Sequence, residues 1–380
     1  MFKPMHTSET QSNRYAQLNW FQKCLFRWHL DPLLLTLLVI LSGIGCLILF
    51  SASDMNQHML LHRGIHLGLA FIVLIIVAQI PPPLLKEWAP VLYALGLTLL
   101  AAVLVVGHVD NGARRWLNLG GFHLQPSELM KLFTPMVLAV YFDRINKVPS
   151  LWQYAIAFLL IAAPTLLTMK QPDLGTAIMI ATSAMWVVLL SGLNRKIIFG
   201  AIIAGLLAIP VFWHFILHPY QKARILTFLN PERDPLGNGY HIIQSKIAIG
   251  SGGLLGKGWL HGTQSHLNFL PEHTTDFIFS VFSEEWGFIG CLILIALFLL
   301  IFLRVIWIAQ RQKDHFSRLL CAALGTCFLF TALINMSMVT GLLPVVGVPL
   351  PFISYGGSVM LSQAASFGMI LSMRAHQRLW

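Results

Sequence analysis

The chain has 380 residues, of which 56% are hydrophobic and only 11% are charged, and its mean hydropathy is +0.72. These values exclude an ordinary soluble domain, in which about a quarter of the residues are charged, and they indicate an integral membrane protein. The formal charge of +10 would suggest nucleic-acid binding in a soluble protein. Membrane topology explains it better here, so no nucleic-acid partner is expected.

Ten apolar segments are long enough to cross a bilayer, which requires roughly 20 residues of helix. The predicted fold is therefore all-α and polytopic, with about ten transmembrane helices. The predicted spans are residues 33–50, 64–80, 88–107, 124–142, 151–169, 174–193, 197–217, 277–303, 319–343 and 349–373.

The distribution of Lys and Arg predicts the orientation of these spans. With a cytoplasmic N-terminus, the inner segments contain fifteen Lys and Arg residues, whereas the four short outer loops contain only Arg63, Arg114, Arg115 and Lys170. The positive-inside rule favours this arrangement. Residues 1–32 and 374–380 are then cytoplasmic, and residues 218–276 form a long extracytoplasmic loop between helices 7 and 8.

The long loop contains turn residues (NPERDPLGNG), a predicted amphipathic helix (YHIIQSKIAIG) and a glycine-rich stretch (SGGLLGKG). The glycine-rich stretch lacks the first glycine and the final Ser or Thr of a P-loop. His261, His266 and His273 do not have the spacing of a usual zinc site. No metal ligands can therefore be assigned from this loop.

Asp276 lies at the start of the eighth predicted span, directly after Thr274 and Thr275. Threonine is a good N-cap residue, so the pattern predicts that Asp276 lies in the first helical turn. A carboxylate there has two interpretations that the local sequence leaves open. It complements the helix dipole, or it acts as a general base.

Glu284 and Glu285 follow on the same predicted helix. At 100° per residue the two side chains point in different directions, so both cannot line one cavity with Asp276. One interpretation is that one glutamate is the buried structural partner of a cation.

Two further motifs place charges at the starts of helices. In QPSELMK, Pro126 suits a first turn, and Glu128 and Lys131 lie three residues apart on one face. They form an internal ion pair, or they line a polar cavity in which Lys131 binds phosphate. In KQPDLG, Asp173 begins the sixth span, and helix capping alone would explain it.

These charges collect at the predicted outer face, which capping does not explain. Cations beside carboxylates at this level suit a membrane-anchored substrate that carries phosphate and a hydroxyl to be deprotonated. The alternative for the two arginines is contact with lipid headgroups. The residues are Arg114, Arg115, Glu128, Lys131, Lys170, Asp173 and Asp276.

Four segments resemble the SEDS proteins of bacterial cell-wall synthesis. They are NGARRWLNLGGFHLQPSELMK, KQPDLGTA, the stretch from NPERDPLGNG to SEEWGFIG, and LLPVVGVPLPFISYGGS. The long loop and the last segment resemble the elongation branch of that family, RodA, more than the division branch, FtsW.

The resemblance implies a peptidoglycan glycosyltransferase that polymerises lipid II on the outer face of the bacterial cytoplasmic (inner) membrane, during cell elongation and rod-shape maintenance. The GlcNAc 4-hydroxyl of the acceptor attacks the donor sugar, and undecaprenyl pyrophosphate leaves. The implied partners are lipid II, a class B penicillin-binding protein, elongation-complex proteins and membrane lipids. The alternative functions are a lipid II flippase and a non-catalytic scaffold for the penicillin-binding protein.

The resemblance also implies roles for individual residues. The essential aspartate of the family falls on Asp276, and the arginine of its GAxRW motif falls on Arg115. Its PSE glutamate, the following lysine and its QPDLG aspartate fall on Glu128, Lys131 and Asp173. Neighbouring candidates for substrate binding are Arg114, Lys170, Glu272 and His273.

The chain departs from the family pattern near Asp276. The family usually reads P-E-x-H-T-D, whereas here His273 stands one place early and Thr274 occupies the expected histidine position. No cofactor follows from the sequence. A divalent cation, Mg²⁺ or Mn²⁺, would suit phosphoryl oxygens beside carboxylates, but its ligands cannot be identified.

Overall fold

The structure, a computed structural model, describes residues 30–110, 113–119, 122–145, 149–192, a few single positions between 200 and 214, and residues 219–233, 238–263 and 272–376. Most of the predicted seventh span and most of the two terminal segments therefore lie outside the described residues, as does part of the long loop.

The described part of the chain is a helical bundle with one small sheet. Its helices are α1 (Pro32–Ala52), α2 (Gln57–Ala78), α3 (Pro82–Val106), α4 (Pro126–Asp143), α5 (Leu151–Lys170), α6 (Leu174–Leu190), α7 (Pro219–Leu229), α8 (Asn238–Ser251), α9 (Ile278–Gln310), α10 (His315–Val339) and α11 (Gly357–His376). A 3-10 turn covers Pro231–Arg233. The strands are β1 (His108–Asp110), β2 (Ala113–Leu119) and β3 (Phe122–Leu124).

Six of these helices are long and apolar enough to cross a membrane, which confirms the polytopic all-α class. Nine of the ten predicted spans overlap described helices, although α11 begins at Gly357, eight residues after the predicted start of the tenth span. The predicted start of the second span is wrong. Helix α2 begins seven residues earlier, because Asn56 Oδ1 accepts hydrogen bonds from His58 N and Met59 N at 3.0 and 3.2 Å, and Arg63 therefore lies within a helix instead of a loop.

The three strands, which the sequence did not predict, connect α3 to α4. They form an antiparallel sheet in the order β1-β2-β3, with Leu117 opposite Leu124 and Val109 opposite Arg114. The strands are only 3, 7 and 3 residues long, too short to give an alternating pattern that stands out beside the helical spans. We call the end of the bundle that carries them the sheet end.

Helix α9 is broken at Gly287, which has φ 63° and ψ −165°. The break leaves backbone groups without their usual partners in the helix, a costly state in an apolar environment. Residues 253–258 of the long loop supply the missing hydrogen bonds. Lys257 N and Gly258 N donate to the carbonyls of Glu284 and Glu285, both at 3.0 Å, and Phe288 N donates to Gly253 O at 2.9 Å.

Glu284 confirms the interpretation of a buried partner for a cation. Its side chain is 0% exposed and Oε1 accepts hydrogen bonds from Lys257 Nζ at 2.6 Å and from Thr263 N at 2.8 Å. Glu285 accepts a hydrogen bond from Ser51 Oγ of α1. Both glutamates therefore hold the broken helix to its neighbours. Neither lines the cavity that lies at the sheet end of the bundle.

Candidate active site

A cavity of about 430 Å³ lies among the helices at the sheet end. Five of the sequence-predicted residues line it: Arg115 from β2, Glu128 and Lys131 from α4, Asp173 before α6, and Asp276 before α9. The segment 347–359, which leads into α11, forms much of the remaining wall. Residues that are distant in sequence thus converge on one space.

The predicted position of Asp276 in a first helical turn is wrong. Helix α9 begins at Ile278, and its N-cap is Phe277, which makes no side-chain cap hydrogen bond. The preceding turn delays the helix because Glu272, with φ 56°, uses its carbonyl to accept hydrogen bonds from Thr275 N and Phe277 N at 3.1 and 3.2 Å. Asp276 therefore belongs to a turn ahead of the helix, and first-turn capping does not explain its presence.

Hydrogen bonds from two other elements hold this turn in place. Asn335 of α10 is fully buried, and its Nδ2 donates to the carbonyls of Asp276 and Val348 at 2.8 and 2.7 Å. Ser354 Oγ donates to Thr275 O at 2.6 Å, and Tyr355 N donates to Thr274 O at 3.0 Å. The backbone beside the Asp276 carboxylate is thus fixed by α10 and by the segment before α11.

Glu128 and Lys131 form the predicted ion pair, with 2.6 Å between Lys131 Nζ and Glu128 Oε2. Ser362 Oγ of α11 also donates to Glu128 Oε2 at 3.1 Å. Both side chains are largely buried, with exposed fractions of 12% for Lys131 and 5% for Glu128. Both line the cavity. The two alternatives predicted from the sequence, an internal ion pair and the lining of a polar cavity, are therefore compatible. Glu128 and Lys131 form an ion pair with each other and also face the cavity.

Asp173 is the N-cap of α6, as helix capping predicted. Its carboxylate accepts hydrogen bonds from Thr176 N at 3.1 Å and from Gln125 Nε2 at 3.0 Å. Arg115 Nε lies 4.0 Å from Asp173 Oδ2, and the same guanidinium donates to Pro172 O at 2.5 Å. The hydrogen bond to Pro172 O thus holds the guanidinium of Arg115 at the cavity wall, close to the carboxylate of Asp173.

The starts of four helices converge on this cavity. Gln125 is the N-cap of α4, Asp173 is that of α6, and Asp276 precedes that of α9. In α11 the first intrahelical bond is donated by Met360 N to Gly356 O, so the preceding N–H groups have no acceptor within the helix. Helix N-termini carry partial positive charge and attract anions, so this convergence favours a negatively charged ligand.

Several cavity residues were not identified from the sequence. His66 of α2 lines the cavity, as do Trp116, Thr176 and Tyr355. Arg63, one turn before His66, is fully buried and donates to Phe352 O at 2.5 Å and to Ser354 O. It thereby holds the segment before α11 against α2. The sequence placed Arg63 in an outer loop just before the predicted second span, so this role was not predicted.

Four other predicted residues are not placed in this cavity. Lys170 is the last residue of α5 and is exposed. Glu272 is also exposed, and its carboxylate accepts a hydrogen bond from Thr275 Oγ1 at 2.7 Å. His273 is half-buried and is not among the lining residues. The backbone of Arg114 lies in β2, but its side chain is outside the described part of the structure.

The cavity residues that the structure describes do not form a protein-held metal site. Among the described residues, no group of three or more His, Cys, Asp or Glu side chains is arranged to hold a metal ion. The carboxylates of Glu128 and Asp173 already accept hydrogen bonds from Ser362 and Gln125, as described above. We therefore derive no catalytic step that uses a metal.

Removing the amide of Asn335 is expected to impair the site through Asp276. In Asn335→Ala the carbonyls of Asp276 and Val348 lose their donor, which should cost about 1–3 kcal/mol of stability and let Asp276 shift. In an assay of the reaction catalysed at this cavity, we expect kcat to fall by a larger factor than KM for the substrate rises. Thr331→Val on the same helix is the matched control, because its hydroxyl bonds to Cys327 one turn away and Thr331 is not among the residues that line the cavity. Equal kinetics in the two variants would contradict the positioning role of Asn335.

Comparison with known proteins identifies the family. A family model described as "Cell cycle protein", which covers FtsW, RodA and SpoVE, matches residues 25–379. The chain belongs to this family. Peptidoglycan glycosyltransferase MrdB of Escherichia coli K12 is 46% identical to this chain over 351 residues. The match covers 92% of this chain and 95% of MrdB. Peptidoglycan glycosyltransferase RodA of Treponema pallidum is 30% identical, over 91% of this chain and 98% of that protein.

Solved structures agree with the fold of this SEDS protein. A chain from a structure described as "Structural coordination of polymerization and crosslinking by a peptidoglycan synthase complex" has a TM-score of 0.80 and 33% identity, covering 91% of this chain and 98% of that chain. The crystal structure of RodA from Thermus thermophilus has a TM-score of 0.70 and 29% identity, covering 91% and 97%. The resemblance seen in the sequence is thereby confirmed at the level of the family.

Proposed function

We propose that the cavity at the sheet end is the site at which this SEDS protein polymerises lipid II as a peptidoglycan glycosyltransferase. The observation that carries the proposal is that one cavity brings the Asp276 carboxylate together with Arg115, Lys131 and the starts of four helices. A glycosyl transfer that releases a pyrophosphate needs both parts, a base for the acceptor hydroxyl and positive charge for the leaving group.

In this mechanism Asp276 accepts the proton of the acceptor GlcNAc 4-hydroxyl as its oxygen attacks C1 of the donor sugar. A general base must be held within hydrogen-bond reach of its proton, and the bonds from Asn335, Ser354 and Tyr355 to the turn restrict its movement. Gly347 leaves room beside the carboxylate. A Cβ at this position would lie 3.3 Å from Asp276 Oδ2, and its φ of 71° also favours glycine.

The leaving undecaprenyl pyrophosphate would be bound by Arg115, by Lys131 and by the helix starts. Side-chain charge alone does not favour an anion, because two cations, Arg115 and Lys131, face three carboxylates in the cavity wall. The N–H groups at the start of α11 and the dipoles of α4 and α6 supply the additional positive potential. Arg115 is the better phosphate ligand of the two cations, because its planar guanidinium binds two oxygens at once.

The membrane arrangement and partners follow from the same proposal. With both termini in the cytoplasm, as the Lys and Arg distribution favours, the sheet end faces the outside of the bacterial inner membrane, where lipid II is polymerised. The structural relative from a synthase complex that coordinates polymerization and crosslinking supports a penicillin-binding protein as the working partner. We extend the proposal to cell elongation, since relatives named RodA share the fold.

A detergent assay distinguishes the enzyme from the flippase and the scaffold. Detergent removes the transbilayer step, so labelled lipid II given to the purified chain with its penicillin-binding protein can report only polymerisation. We expect glycan strands, whose length is measured by gel electrophoresis. Absence of polymer together with lipid II translocation in sealed vesicles would indicate a flippase. Absence of both activities would indicate a scaffold.

Arg115→Ala is expected to weaken donor binding more than the chemical step. A hydrogen bond to a charged group is worth about 1.5–3 kcal/mol, so KM for lipid II should rise roughly ten-fold or more while kcat changes less. Lys170→Ala is the comparison. Lys170 is a cation at the same end of the bundle, but it is not among the residues that line the cavity. Initial rates over a range of lipid II concentrations provide the measurement. An unchanged KM in Arg115→Ala would refute this role.

A further inference from the structure

Three histidines recur at four-residue spacing along α2: His58, His62 and His66. Residues four apart lie on the same helix face, so the three rings form a stripe that runs from the start of α2 toward the interior. His66 faces the cavity, whereas His58 and His62 are exposed. The mechanism above uses neither of the exposed rings, and neither belongs to the packed core.

The two exposed rings face each other with their Nε2 atoms 3.3 Å apart. Their centroids are 4.4 Å apart and their planes meet at 62°. Histidine nitrogens bind Zn²⁺ at about 2.0–2.1 Å, and tetrahedral coordination then places two such nitrogens about 3.3–3.4 Å apart. The observed separation is compatible with this spacing and also with a hydrogen bond between the two rings, so the backbone of α2 brings both nitrogens within reach of one ion.

We propose that His58 and His62 form a two-ligand site for a divalent transition-metal ion, Zn²⁺ in the first instance. Imidazole is a preferred ligand of Zn²⁺ and Cu²⁺, and both rings lie at the exposed surface of the first turns of α2. Two protein ligands leave the other coordination positions to water or to an external oxygen ligand. The site lies about one helical turn, roughly 6 Å along the axis, from His66 at the cavity. This inference does not depend on the proposed reaction.

The alternative is a simple hydrogen bond in which one ring donates to the other. The two cases differ in what they predict for metal uptake. The full chain, purified in nanodiscs with a tag that contains no histidine and stripped with EDTA, is titrated with ZnCl₂ by calorimetry. Loss of an outer-shell partner of a metal ligand already costs about 10–100-fold in affinity, so His58→Ala and His62→Ala should each weaken one bound equivalent at least ten-fold.

Two further variants make the result specific. His261→Ala removes an exposed histidine from the long loop and should leave that equivalent unchanged. His66→Ala should do the same, and a loss as large as in His62→Ala would overturn the two-ligand assignment. In place of Zn²⁺, Cu²⁺ allows electron paramagnetic resonance, in which we expect two nitrogen ligands in the wild type and fewer in the single variants. Equal metal uptake by the wild type and the double variant His58→Ala/His62→Ala would show an intrahelical hydrogen bond only and would overturn the proposal.

Discussion

Asp276→Asn is expected to lower kcat for glycan polymerisation by about 10²–10⁴-fold, the contribution typical of a general base. Asparagine keeps the size of the side chain and leaves the backbone carbonyl that Asn335 binds, but it cannot accept the proton of the acceptor hydroxyl. Binding of lipid II should be nearly retained. The measurement is the initial rate of polymer formation at saturating lipid II, together with binding of labelled lipid II to the same preparation.

The control for Asp276→Asn is Glu87→Gln. Glu87 is an exposed carboxylate of α3 that is not among the cavity residues, so the same loss of charge there should leave the rate unchanged. Thermal unfolding of both variants is measured beside the rate, and the carbonyls of Thr274, Thr275 and Asp276 that hold the turn are unchanged in Asp276→Asn. A polymerisation rate within a few-fold of the wild type in correctly folded Asp276→Asn would eliminate Asp276 as the base.

Gly287→Ala is expected to destabilise the protein by about 3 kcal/mol or more. The φ and ψ of Gly287 lie in a region that only glycine occupies readily, and strain there costs about 1–3 kcal/mol. The added Cβ would also lie within 2.8 Å of the carbonyl of Leu254 and closer still to Gly256 N. To relieve these contacts, residues 253–258 must leave the break in α9, and the hydrogen bonds that close the break are lost.

The effect of Gly287→Ala is measured as a fall in the midpoint of thermal unfolding in detergent. Limited proteolysis of the segment 253–258, which should become more susceptible, gives a second readout. Gly64→Ala in α2 is the matched control, because a Cβ at that position meets no other atom within 4 Å and alanine favours a helix. If both variants unfold at the same temperature, the loop does not stabilise the broken helix as we infer.

The amino-acid sequence by itself determined the class of the protein and the local pairs at its helix starts. Apolar run length gave the spans, because a helix must satisfy its backbone groups internally to cross a bilayer. The Glu128–Lys131 pair and the Asp173 cap were also predictable, since both depend on residues three apart in one helix or at its start. The family followed from motifs spread over most of the chain.

Only the tertiary structure decided which of these charged residues share a cavity. Arg115, Lys131 and Asp276 come from elements far apart in sequence, and helical periodicity does not specify which helices pack together. The turn that carries Asp276 is held in place by bonds from Asn335, Ser354 and Tyr355, and the break at Gly287 is closed by residues 253–258. These contacts are long-range, so local sequence could indicate the residues that matter but not the geometry that assembles them.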